Sequence, residues 1–107
     1  MDLKNIFSNI PKDIPKEIFE EIVSVENCRI QRIISKGHST PDDQWYDQDK
    51  DEWVILLQGS AGLLFEGVDN PIKLQPGDYF HIPAHVKHRV EWTDNNIETI
   101  WLAVRYN

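Results

Sequence analysis

Glu52 and His88 are the residues of this chain whose types and spacing point most directly to chemistry. Glu52 is followed after six residues by Gly59, and Gly77 opens the run Gly77-Asp78-Tyr79-Phe80-His81-Ile82-Pro83-Ala84-His85-Val86-Lys87-His88. A carboxylate and an imidazole on separate strands, each anchored by a turn glycine, can converge on one point inside a small barrel. There they can share a divalent cation or move a proton.

The elements that must position them are legible as strands. Period two from Glu52 to Leu57 places Glu52, Val54 and Leu56 on one face and Trp53, Ile55 and Leu57 on the other. Gln58-Gly59-Ser60 followed by 61–65 predicts a hairpin. A second hairpin is predicted from 71–74 to 79–82 through Gln75-Pro76-Gly77-Asp78, a type II turn in which Gly77 supplies the positive φ. Upstream, Phe19, Val23 and Val25, then Cys28, Ile30 and Ile34, give two strands divided by Glu26-Asn27. Downstream, 88–92 and 98–106 give two more around a polar turn.

Residues 1–16, interrupted by Pro11 and Pro15, read as an N-terminal arm, and residues 17–107 as one barrel domain, with at most a helical turn around Lys16 to Glu21. The stretch from Ser35 to Asp51 reads as a long loop carrying Trp45 and Tyr46. The whole predicts an all-β sandwich or barrel.

Size and charge narrow the function. A chain of 107 residues holds one core. A net charge of −7, from 18 acidic and 11 basic residues, disfavours nucleic acid and anionic membrane surfaces as partners. No apolar run approaches the roughly 20 residues that cross a bilayer, so a soluble cytoplasmic protein is expected. Cys28, the only cysteine, can form neither an intrachain disulfide nor a multi-cysteine zinc site, and reads as an ordinary strand residue.

These residues resemble the cupin family over about Gly37 to Trp92. The family's first segment ends in His-x-His, a short gap, glutamate, six residues and glycine; its second runs glycine, five residues, Pro-x-Gly, two residues, histidine, three residues and asparagine. Glu52 and Gly59 match the first, and Gly77, Pro83 and His88 match the second. Tyr46 and Gln48 stand where one register puts the histidine pair, Trp45 and Asp47 where the other does. His85 replaces the inner glycine, Trp92 replaces the asparagine, and Gly37 lies too far upstream for the leading glycine.

The resemblance implies a cupin-type jelly-roll β-barrel, commonly a homodimer, holding one divalent metal (iron, manganese, nickel or zinc). Only Glu52 and His88 carry over as ligands, and a first-row metal wants about three. Gln48, Tyr46 and Asp47 are the candidates for the third, two of which point away if the segment is extended. The implied set is Gln48, Glu52 and His88, with Tyr46 and His81 as proton donor and acceptor. His81 shares a face with Tyr79 and is expected to enter the barrel beside Glu52.

Val54, Leu56, His85 and Trp92 are expected to line a pocket for a small, partly apolar molecule, with His38 folding over its opening. Trp53 and Trp101 are expected in the core or a subunit contact. One functional reading is a small metal-dependent enzyme of dioxygenase, lyase or isomerase type. The other is a metal-free binding or sensor module, in which Glu52 and His88 bond each other or a ligand. The missing histidine pair favours the second, and the joint presence of Glu52 and His88 favours the first. A purely structural dimerisation module, resting on the arm and Trp101, is a third.

Overall fold

The computed structural model describes residues 1–107. Its strands are β1 (Ile18–Val25), β2 (Cys28–Ser35), β3 (Asp51–Gln58), β4 (Ala61–Phe65), β5 (Ile72–Leu74), β6 (Tyr79–Ile82), β7 (His88–Thr93) and β8 (Thr99–Tyr106). They form two antiparallel sheets, ordered β1-β2-β8-β3-β6 and β5-β4-β7. This is an all-β jelly roll, and the predicted strands fall where their periodicity places them. The predicted helical turn at Lys16 to Glu21 is instead the start of β1, paired to β2 from Ile18 onward.

Neither glycine turn closes a hairpin. β3 pairs with β6 and β8, whereas β4 pairs with β5 and β7, so the chain changes sheet at Gly59. It changes back between β5 and β6, at a turn where Asp78 N donates to Gln75 O over 2.9 Å and Gly77 has φ +96°. Glycine at positive φ reverses the chain in either arrangement. Long-range pairing decides which sheet receives it.

The core lies between the sheets: Val54 and Leu56 from β3, Ala61 and Leu63 from β4, Leu74, Ile82, Trp101 and Ala103. Glu52 is buried with Val54 and Leu56, as the alternation of β3 requires.

Two buried arginines hold the irregular segments. Arg32 Nη1 donates to the carbonyls of Ile6 (3.0 Å) and Ser8 (2.6 Å), while Nη2 meets Glu20, tying the arm to its own sheet. Arg89 donates to the carbonyls of Thr40 (3.0 Å) and Gln44 (3.3 Å) and packs under Trp45. Arg89→Met should cost about 2 kcal/mol, given about 1.5–3 kcal/mol for hydrogen bonds to charged groups. Amide exchange should quicken across 40–48, the segment carrying Tyr46 and Gln48.

Two surface carboxyls, Glu21 exposed and Asp94 half-buried, give stability a dependence on acid. Asp94 Oδ1 accepts from Asn96 N (2.7 Å) and Ile97 N (3.3 Å), which holds its pKa below the usual 3.8. Glu21 is held low by Arg29 and then by Gln31. Because the folded values lie below the unfolded ones, this stabilisation is complete above the ordinary carboxylate range. It is lost as pH falls through that range toward the folded values. The melting temperature of Asp94→Asn should therefore fall less than that of the native protein between about pH 5 and 3.

Candidate functional site

Glu52 is the second residue of β3 and His88 the first of β7, and both are buried, each 5% exposed. His88 also pairs with Tyr46 in an isolated bridge, Tyr46 N donating to His88 O over 2.8 Å and His88 N to Tyr46 O over 3.1 Å. The bridge keeps the 46–48 segment extended. Tyr46 and Gln48 consequently face the barrel together, and Asp47 alone points away, to His85 at 2.9 Å. The expectation that two of the three would turn away is corrected.

His88 Nε2 lies 3.6 Å from Glu52 Oε1. On the other side of the ring, Nδ1 is 2.9 Å from the carbonyl of Val86. A carbonyl can only accept, so Nδ1 carries a hydrogen, and in the neutral tautomer this selects, Nε2 presents its lone pair to the cavity.

Arg105, not singled out in the sequence, organises the rest. Alternation along β8 puts Trp101, Ala103 and Arg105 on the inward face, and Arg105 sits directly across from Glu52 in the β3–β8 ladder. Its Nη2 is 3.1 Å from Glu52 Oε2, its Nε donates to Gln48 Oε1 over 3.0 Å, and its Nη1 donates to Gln31. One guanidinium thus neutralises the buried carboxylate and occupies the Gln48 carbonyl. Its signal was a basic residue in phase with Trp101 and Ala103. What the sequence does not disclose is that β8 lies beside β3.

Tyr46 stacks at a tilt on His88, with ring centroids 5.7 Å apart. Burial pushes its phenol above the ordinary value of 10, Glu17 and Glu52 add to this, and Thr40 and Arg105 partly oppose it. At neutral pH Tyr46 is therefore a hydrogen-bond donor and not a phenolate.

These groups line a cavity of about 60 Å³ with Glu17, whose carboxylate accepts from Ser35 over 2.5 Å. The remaining walls are Phe19, Ile33, Val54, Leu63, Ile82, Val90 and Trp101. An outer cavity of about 490 Å³ adjoins it, sharing Tyr46, Gln48 and Arg105 and adding Arg29, Asp47, Asp49, Lys50 and His85. Phe19, Ile33, Leu63 and Val90 were missed as lining because their place depends on which strands face one another.

Several expected site residues lie elsewhere. His81 is opposite Trp53 on the outer face, 52% exposed, because Ile82 pairs with Glu52 and takes the inward position. Trp92 leaves the cavity because β7 shifts register against β4: Val90 pairs with Leu63, yet Trp92 pairs with Gly62. That irregularity ends strict alternation, and Trp92 lies 38% exposed across Gly62.

Leu56 is fully buried in the core and does not line the cavity. His85 adopts the left-handed conformation (φ +65°) where the family carries glycine, and lines the outer cavity only. His38 Nδ1 accepts from Lys36 N within its own loop, over 2.8 Å, and does not cover the opening. Trp101 is a buried cavity wall, 5% exposed.

A first-row metal needs about three lone-pair donors at one point. Gln48 Oε1 and Glu52 Oε2 are directed to the guanidinium, Tyr46 retains its proton, and no three His, Cys, Asp or Glu side chains gather. The donor set, arranged in this way, does not fit such a centre.

A jelly roll with an acid–imidazole pair buried between its sheets defines a cupin-type barrel. The chain belongs to the cupin domain family, which it matches over residues 32–105. It is similar to a provisionally assigned mannose-6-phosphate isomerase from Ralstonia eutropha, 43% identical, with a TM-score of 0.96 over 100% of this chain and 99% of that one.

It shares its fold with an RmlC-like cupin family protein from Methanocaldococcus jannaschii, 19% identical, with a TM-score of 0.70 over 92% and 86% of the two chains. A cupin superfamily protein from Desulfitobacterium hafniense, 20% identical, gives a TM-score of 0.73 over 91% and 83%. No curated protein matches. No helix is long and apolar enough to cross a membrane.

Proposed function

We propose that the chain is a small-molecule-binding cupin in which Arg105 supplies the positive charge a divalent ion would otherwise supply. The observation that carries this is the single guanidinium reaching both Glu52 Oε2 and Gln48 Oε1. A carboxylate as buried as Glu52 needs a cation, and Arg105 meets that need without a metal. The metal-dependent enzyme implied by the family resemblance would require Arg105 to release Gln48 Oε1 as a third donor beside Glu52 Oε1 and His88 Nε2. Saturating manganese, iron(II), nickel or zinc should leave the melting temperature unchanged. A metal bound at 100 times its Kd would add about 2.7 kcal/mol, and a rise of that size would overturn the reading.

A second reading, metal-free proton transfer on a small hydroxycarbonyl compound, is favoured by the facing of His88 Nε2 and Glu52 Oε1 and by the provisional isomerase assignment of the Ralstonia relative. Isomerisation needs a base that takes a proton from one carbon and returns it to the next, and either atom suits that role. The inner cavity of about 60 Å³ holds only the reacting end of a sugar phosphate, leaving the phosphate for the outer cavity beside Arg29 and Lys50. Turnover of mannose 6-phosphate that is lost in His88→Ala would support this reading, and no turnover would remove it.

We further propose a homodimer formed through the outer face of the larger sheet, where Trp53, Ile55 and Leu102 are half-buried, to be checked by sedimentation. A cytoplasmic setting suits the single free thiol, Cys28.

A further inference from the structure

We propose that the inner cavity recognises an NH2 group, that of a primary amide or a primary amine, carried on a short aliphatic stem. This names the ligand class of the metal-free binding site argued above and rests on that reading.

The argument starts from hydrogen-bond polarity. His88 Nδ1 is committed to the Val86 carbonyl, and in the neutral tautomer this selects, Nε2 is an acceptor. Glu52 Oε1 is an acceptor as well, its sister oxygen being turned to Arg105. The two face each other at 3.6 Å, beyond hydrogen-bond distance. Two acceptors directed at one gap call for a donor with a hydrogen for each.

An atom placed about 2.9 Å from both acceptors, which are 3.6 Å apart, sees them at roughly 75° to one another. Two N–H bonds about 110–120° apart serve both when each points about 20° off its acceptor, which leaves the N–H···acceptor angles at about 150°, the edge of the favourable range. A carboxylate or an ester oxygen in the same place would set a third acceptor against two.

The stem follows from the walls and the size. Val54, Leu63 and Val90 make the surroundings apolar, and about 60 Å³ at roughly 10–15 Å³ per small group admits about four to six non-hydrogen atoms. Larger ligands would extend into the outer cavity past Gln48 and Arg105.

The test uses wild-type protein, so no variant has to fold. The His88 ring nitrogens are followed by NMR during titrations with propionamide, propylamine, propionate and methyl acetate, which are close in size. Either propionamide or propylamine should shift Nε2 saturably, with a Kd roughly tenfold or more below those of propionate and methyl acetate. Comparing the first two tells an amide from an ammonium. Propionate or methyl acetate binding as well as either NH2 probe would overturn the ligand class while leaving the barrel a binding module. Saturable coordination of zinc at Nε2 would overturn the metal-free reading and this inference with it, and no shift from any probe would overturn the inference too.

Discussion

Arg105→Ala should lower the melting temperature by about 12–24 °C, the largest fall expected from any side chain in the cavity. Removing one member of a buried ion pair costs about 3–5 kcal/mol because the other charge is stranded. The Glu52 side chain is 6% exposed but that of Arg105 is 20% exposed, so solvent screening places the cost at the lower end, about 3 kcal/mol. At about 4–8 °C per kcal/mol for a domain of this size, the stated range follows.

Glu52→Gln added to Arg105→Ala should recover about half of the loss, since it removes the stranded charge. Arg105→Lys should rescue poorly, because an ammonium cannot meet Gln31, Gln48 and Glu52 together. Thermal melts of the three variants provide the check. An Arg105→Ala protein melting within a few degrees of wild type would mean that Glu52 does not depend on this cation.

Gly59→Ala should cost about 2–5 kcal/mol. Gly59 has φ +86° where the chain leaves β3 for the smaller sheet, and an added Cβ would stand 2.7 Å from Thr99 Cα, a backbone atom at the start of β8. Left-handed backbone costs a side-chain-bearing residue about 1–2 kcal/mol, and overpacking adds about 1–3 kcal/mol. Gly77→Ala is the control. Its φ is +96° but nothing lies within 4 Å of the added Cβ, so only the backbone cost of about 1–2 kcal/mol applies. Equal losses at the two positions in denaturant melts would show that crowding at Thr99 contributes nothing.

Gly59 also marks the limit of what the sequence discloses. The alternation of β3, its buried Glu52, and the positive φ at Gly77 were all legible, because each depends on residues a few positions apart. Membership of the sheets was not. A glycine turn reads the same whether the next strand pairs with the last one or joins the opposite sheet, and both predicted hairpins proved to be crossings.

The site divides in the same way. Glu52 and His88 follow from spacing and face a common cavity, while Trp92 was misplaced by a register shift that no local pattern announces. Alternation within β6 alone leaves the face of His81 open, and pairing with β3 gives the inward place to Ile82. Arg105 escaped notice because its meaning comes from the strand beside it.

The central claim, that Arg105 stands in for a metal, is tested most directly by elemental analysis of the tag-free protein after reconstitution with manganese, iron, nickel and zinc, beside His88→Ala treated identically. Substoichiometric metal at the same low level in both is the expected result. Near-stoichiometric metal in the native protein that disappears in His88→Ala would contradict it, and would mean that the guanidinium yields Gln48 to an ion held also by Glu52 and His88.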